Sequence, residues 1–311
     1  MSRRATLLFA GMCVFWGIPY LLIKVAVDEV SPAVLVFART GLAALILLPF
    51  ALRGNGFRGL TGHAWPLLMF AMTEFVVPWW LLSDAERRLS SSTAGLLLAS
   101  TPIFGAVLVY LTGGAERMGA VRWIGLAVGF GGVAVLAGPT LDSGDPWAIV
   151  EVLATAVCYA AAAIVVERGL EDVPNLPMTA ACLGFSALVY VLPAAAQWPG
   201  RMPSAKVLGA LGVLALVCTA IAVVLFFELI REVGAARATV ITYVIPAVAV
   251  VAGVLVLDER FTWAIGASFV LILAGAWLAT RRGDTPIIPA HADADAQPPL
   301  ESTGTPEQQQ L

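Results

Sequence analysis

The sequence predicts an all-α membrane protein, with ten transmembrane helices forming two inverted five-helix repeats. Three observations predict it. The chain of 311 residues is 59% hydrophobic and only 13% charged, whereas a soluble protein carries roughly 25% charged residues. Its apolar runs are long and numerous enough for ten crossings. Lastly, one apolar unit occurs twice. Residues 85–137 carry Arg87, an Ala/Ser/Thr stretch, Pro102, Glu116-Arg117, Trp123 and Gly125. Residues 229–279 carry Arg231, an Ala-rich stretch, Pro246, Glu259-Arg260, Trp263 and Gly266. Arg87 and Arg231 are 144 residues apart, as are Pro102 and Pro246. A hydrophobic unit used twice is the mark of a transporter built from repeats.

A crossing takes roughly 20 apolar residues to cover about 30 Å of hydrocarbon. Runs between charged or Pro/Gly-rich breaks lie near 5–25, 33–52, 65–82, 92–112, 121–138, 147–166, 177–196, 207–228, 236–257 and 263–280. The first follows Ser2-Arg3-Arg4 as a signal peptide would. It is too long for a signal core, and no small-x-small cleavage site precedes Asp28, so a retained helix is expected. Five spans per half is an odd number, so the second half enters the membrane inverted. Two such halves enclose a central cavity that can open to either side. The expected parts are residues 1–140 and 141–282 for the repeats, and 283–311 for a tail.

With the N-terminus inside, eleven of the 18 Lys and Arg residues lie at inner ends and six at outer ends, while Arg39 lies within span two. That bias predicts cytoplasmic termini. The tail after Arg282 is rich in Pro, Ala, Gln, Ser and Thr, with five acidic residues and no basic one. It is read as a disordered cytoplasmic extension.

Glu74 is the sharpest candidate for function. It lies mid-span in Met72-Thr73-Glu74-Phe75, where an acidic residue costs about 2.5–3.5 kcal/mol to insert. It should face a wet interior, either as a proton carrier or substrate-amine ligand, or as the structural partner of an arginine. Pro78 frees the carbonyl of Glu74 itself. Arg39 is the candidate partner. It could pair with Glu74, snorkel outward, or bind a substrate carboxylate. Trp16 and Tyr159 occupy equivalent mid-span places in the two halves, lining a cavity or packing in the core. Trp79 and Trp80 could line the path or form an interfacial belt. Tyr243 precedes Pro246. Pro102 and Pro246 interrupt spans four and nine, which marks either the substrate path or packing kinks. Glu151, Glu228 and Lys24 sit near span ends and are expected at interfacial water. Glu116 and Glu259 match in position and are expected to cap the following helix or pair with Arg122 or Arg260. Gly125, Gly129, Gly132, Gly266, Ala274 and Gly275 predict close packing of spans five and ten, within one chain or between two.

Phe15-Trp16-Gly17 with Lys24, Pro32 with Arg39, the Ala/Ser/Thr run before Pro102, then Glu116 with Gly125, and the Pro246, Glu259, Gly266 series together resemble the EamA-type ten-helix transporters of the drug/metabolite transporter superfamily. The resemblance covers residues 5–280. It implies a multi-pass carrier of the bacterial inner membrane that exports amino acids, related metabolites or drugs. One departure is that the second half has Cys182 near the place equivalent to Arg39.

Other classes are poorly served. No span holds a histidine, Lys24 and Lys206 lie at membrane edges, and there is no Walker loop. An intramembrane enzyme or an ATP-driven pump therefore gives way to a secondary carrier, proton-coupled or an uncoupled exchanger of the same fold. Partners expected are a small-molecule solute, the lipid bilayer and protons, with a homodimer left open. A net charge of −3 gives no case for nucleic acid. Histidines only at 63 and 291 and cysteines without C-x-x-C spacing give no case for a metal site or other cofactor.

Overall fold

A computed structural model of the chain describes residues 2–53, 56–112, 119–142, 145–238 and 240–280. Among these, nine helices are long and apolar enough to cross a membrane: Arg3–Ala26, Pro32–Ala51, Ala64–Ala85, Ser91–Leu111, Ala120–Gly138, Pro146–Gly169, Asn175–Ala196, Ala205–Val233 and Trp263–Thr280. The shorter apolar helix Ile241–Val256 stands in the remaining place. These are spans one to eight, ten and nine respectively. The expected tail and the Glu116-Arg117 loop lie outside the described residues.

Local chemistry sets the helix starts. Ser2, Ser31, Ser90, Asp145 and Ser204 each cap a helix by accepting a backbone N–H three residues on. Proline follows the cap directly in spans two and six, where a missing N–H costs nothing. Span nine begins five residues later than the apolar run suggests. Gly234 (φ 82) ends span eight, a short helix Ala235–Ala238 follows, and only then does Ile241–Val256 start. Span four is broken at Ala99–Ser100, with Pro102 opening its second piece at Thr101. Pro246 instead lies inside the continuous helix of span nine, so the two prolines do not produce matching breaks.

The spans pair across the halves: two with seven, three with six, one with eight, four with nine, and five with ten. Exposed large side chains around the bundle are apolar, including Leu45, Leu188, Leu192 and Val270. Such a perimeter belongs in lipid. Exposed tryptophans gather at span ends. Trp65 and Trp123 lie toward the end that holds Ser2 (the N-terminal face), and Trp80, Trp147, Trp198 and Trp263 toward the far face. Two such belts mark the interfaces of a bilayer. Trp79 and Trp80 therefore separate, Trp79 into the bundle and Trp80 into the belt.

Spans five and ten form the closest seam, and it lies within one chain. A Cβ at Gly275 would strike the backbone of Gly129, and one at Gly132 would come within 2.9 Å of the backbone nitrogen of Ile272. Without a hydrophobic drive between helices in lipid, such backbone contact supplies the packing energy. Gly266 is not part of the seam and lies beside Phe261. Gly275→Leu should cost at least about 1–3 kcal/mol by overpacking, whereas Gly131→Leu, with open space around its Cα, should be tolerated. Thermal loss of the monodisperse fraction in detergent tests this, and equal midpoints for both variants would refute it.

Candidate functional site

The middle of the bundle is organised by two departures from α-helical geometry. Residues Met72–Val76 of span three and Leu216–Ile221 of span eight are π-helical. They begin 144 residues apart, the spacing of the sequence repeat. In span three the cause is readable. Pro78 cannot donate to the carbonyl of Glu74, and the ladder upstream slips so that Val77 donates to Met72 O. π-bulges of this kind recur at functional sites.

Carbonyls in and beside this segment also accept side-chain donors from the second half. Tyr190 OH of span seven donates to Val76 O at 2.8 Å, and Thr155 Oγ1 of span six reaches Pro78 O at 3.3 Å. In span eight the Thr219 hydroxyl donates back to Leu214 O at 2.8 Å. Its oxygen also accepts from Arg39 Nε at 3.0 Å. Thus the bulge of the second half fixes the arginine of the first.

Arg39 is 6% exposed and its guanidinium lies 3.6 Å from the centroid of the Trp79 ring. A desolvated cation over an indole is stabilised by up to about 2 kcal/mol. Cys218, Tyr159, Tyr20 and Glu86 lie within electrostatic reach of it. Nε is used by Thr219; among the described residues the two Nη groups form no hydrogen bond and remain able to hold an anionic group.

Glu74 is half-buried and has no ion pair or hydrogen bond among the described residues. It sits within electrostatic reach of Cys158 and Tyr159 on span six and Cys182 on span seven. The expected Arg39–Glu74 ion pair is absent. The repeat explains why. Shifting Glu74 by 144 residues lands on Cys218, within electrostatic reach of Arg39, and the same shift takes Arg39 to Leu183, whose neighbour Cys182 lies within electrostatic reach of Glu74. The two charges occupy related corners of the bundle and belong to different pairs of spans. Tyr159 is a neighbour of both.

The other candidates divide. Trp79 and Tyr159 join the Arg39 site. Trp16 packs on Phe226 of span eight, ring centroids 4.7 Å apart, in a cluster with Met12, Leu229 and Ile241. Tyr243 faces span ten, its hydroxyl 3.1 Å from Thr280 Oγ1. Pro102 and Pro246 lie on spans four and nine, and neither approaches Arg39 or Glu74 through any described hydrogen bond.

Several end-of-span charges are more engaged than their positions suggest. Lys24 does not snorkel; its Nζ donates to Glu86 O at 2.6 Å and Leu89 O at 2.9 Å. Glu151 is 2% exposed and pairs with Arg88, which also binds Asp84 and Asp145. Glu228 pairs with Arg4 and Arg231. Glu29 accepts from the backbone N of Ser204 at 2.6 Å, and the Ser204 side chain, with that backbone N–H, holds its carboxyl below the usual range. Sequence reading also passed over Thr219. The 144-residue shift that places Cys218 opposite Glu74 was the signal that could have found it.

The comparisons with known proteins agree with this architecture. The EamA-like transporter family matches the chain twice, at residues 3–138 and 146–281. The chain belongs to the EamA-like transporter family. It is 28% identical over 258 residues to YedA, an uncharacterized inner membrane transporter of Escherichia coli, covering 79% of this chain and 80% of that one. It is 24% identical to the uncharacterized transporter YvbV of Bacillus subtilis, covering 90% and 93%. A solved crystal structure superposes with a TM-score of 0.64 at 21% identity, over 89% of this chain and 96% of that chain, and shows the same fold. The protein is therefore a multi-pass membrane transporter of two inverted five-helix repeats.

Thr219→Val should leave Arg39 Nε unpaired in the bundle and destabilise the protein by about 1–3 kcal/mol. Thr219→Ser should restore most of that loss, as judged by thermal unfolding in detergent. Equal stability of the two variants would show that the hydroxyl does not hold Arg39.

Proposed function

We propose that this transporter is a secondary carrier of small zwitterionic solutes, amino acids or close relatives, exported across the bacterial cytoplasmic membrane by alternating access. The observation that carries the reading is the separation of opposite charge in the middle of the bundle. Arg39 presents unused Nη donors suited to a carboxylate, and Glu74 presents an unpaired carboxylate suited to an amine. Aromatic groups lie around Arg39. Trp79 covers one face of the guanidinium, and Tyr20 and Tyr159 lie within electrostatic reach. Such walls suit apolar side chains and disfavour polyanionic sugars or phosphates, for which a single cation is too little.

The same geometry supports proton coupling. A carboxylate without a fixed cationic partner can exchange its charge for a proton or for a substrate ammonium, but cannot hold both. Competition of that kind makes substrate release and proton uptake alternate. Outward transport is the direction the family resemblance implies, with both termini cytoplasmic as the basic residues suggest.

Counterflow in proteoliposomes loaded with mixed amino acids and related metabolites tests the substrate class. Arg39→Gln should raise the apparent KM for carboxylate-bearing solutes by about 10- to 100-fold, the loss of a charge-assisted hydrogen bond worth about 1.5–3 kcal/mol. Glu74→Gln should abolish transport driven by a pH gradient and leave solute exchange measurable. Undiminished gradient-driven transport in that variant would remove proton coupling from Glu74 and favour an uncoupled exchanger.

A further inference from the structure

Beyond the central site, the far face holds a second arrangement of charges that joins the two halves. Span nine ends in a turn closed by Leu257 N and Glu259 N, which both donate to Gly253 O, with Asp258 in the left-handed region at φ 55. This turn folds Glu259 back along its own helix. Its carboxylate then accepts Ser91 N at 2.7 Å, Ser92 N at 3.0 Å and the Ser92 hydroxyl. Those are free N–H groups of the first turn of span four, where a negative charge is favoured. Contrary to expectation, Glu259 caps a helix of the other half and not the helix that follows it. Gly253 makes the contact possible, because a Cβ there would collide with Glu259 Oε2 and the hydroxyls of Ser91 and Ser92.

Glu86 lies beside this tie, at the residue that ends span three. It is 0% exposed, and among the described residues neither carboxylate oxygen has a hydrogen-bond partner. Lys24, whose charge acts on Glu86, spends its ammonium on the carbonyls of Glu86 and Leu89. The titratable and charged groups that face Glu86 are Lys24 and Tyr20 of span one, Arg39 of span two, and Glu259 of the span nine turn. A buried carboxyl with no donor on either oxygen is stable only when neutral.

We infer that Glu86, set between Lys24 and Glu259, is a proton-binding site that operates a lock between the halves at the far face. With a proton on Glu86, Glu259 is the only anion in the cluster and holds the start of span four. When Glu86 loses that proton to water, two carboxylates oppose one another. The new anion needs hydration or the Lys24 ammonium, and Lys24 can supply it only by leaving the two carbonyls. Either response separates span four from the span nine turn. The inference rests on the alternating-access reading, and it adds a second proton site to the one proposed at Glu74. A proton taken from the far side would close that side behind a departing solute.

Burial pushes the Glu86 carboxyl well above the ordinary carboxylate range. The Lys24 ammonium pulls the other way, and the Glu259 carboxylate adds to the rise. In an open, hydrated lock Glu86 should titrate in the ordinary carboxylate range. The lock is therefore fully stabilised below that range and loses the contribution as pH rises through the raised pKa of the closed form.

The test uses the full chain with Cys13, Cys158, Cys182 and Cys218 replaced. Spin labels go at Arg87→Cys and Phe261→Cys, both exposed on the two segments that the lock joins. Distances are read by double electron–electron resonance in lipid without any solute. The short-distance population should dominate near about pH 5 and fall severalfold toward about pH 9. Glu86→Gln should stay short at both, and Glu259→Gln should be long at both. Lys24→Gln should move the transition to higher pH, since the opposing charge is gone. A flat wild-type profile, an unchanged response in Glu86→Gln, or an unmoved midpoint in Lys24→Gln would each overturn the inference. Because no solute is present, failure of counterflow would leave this result standing, and a flat distance profile would leave the carrier reading standing.

Discussion

In hydrocarbon, a backbone carbonyl that loses its helical donor must be given another by the protein, and Pro78 removes one at the centre of span three. The middle of the bundle is arranged around that irregularity. The ladder slips into the π-segment Met72–Val76, which carries Glu74. Tyr190 and Thr155 reach from spans seven and six to carbonyls nearby. Both donors belong to the second half, so carbonyls around the irregularity of one repeat are held by the other. The same logic runs in reverse at span eight, where Thr219 satisfies Leu214 O and steadies Arg39. The irregular backbone of each half is thus a binding surface for the opposite half, and it lies at the depth where charges occur.

Repeat symmetry explains the scaffold, and its violation explains the site. The two π-segments keep their 144-residue spacing, but the residues upon them do not. Glu74 answers to Cys218 and Arg39 to Leu183, beside Cys182, so both mid-bundle charges come from the first repeat. Neither charge neutralises the other, because each faces an uncharged thiol on the opposite half. A fixed ion pair would have been a poor transport element, for it would need breaking at each turnover. Two separated charges with a shared neighbour in Tyr159 are the arrangement on which the proposed binding of a zwitterionic solute rests.

Hydrophobic run length and the doubled motif made the spans and repeats legible in the sequence, since both express the thickness of a bilayer. Glu74, Arg39, Trp79 and Tyr159 were legible as well, because a charge or large polar ring at mid-span is costly unless it has work to do. Partner choice was not legible. Pairing Arg39 with Glu74 assumed that opposite charges in adjacent spans meet, whereas Thr219 holds Arg39 from a span far along the chain. Glu151 and Lys24 read as interfacial because they sit near span ends, yet the ends are packed together across the halves and bury them. Glu259 was read as a cap, but a carboxylate carries no mark of which helix it will cap. That depends on Asp258 turning the chain back, a conformation for which the sequence supplies no glycine.

Contacts between the halves at the two faces differ in kind, and that difference bears on how the carrier can rock. At the N-terminal face the ties are exposed pairs such as Arg4 with Glu228 and Arg168 with Thr112. Exposed pairs contribute little and are readily exchanged for water. At the far face, Glu259 closes on backbone N–H groups, Glu151 is buried under Arg88, and Glu86 is enclosed without a partner. Opening that face must hydrate several groups together, so it should behave as a switch with few intermediate positions. Buried charge and unmet hydrogen bonds weaken a static bundle. In a protein that passes between two conformations, as proposed above, they would set the conditions under which one gives way to the other.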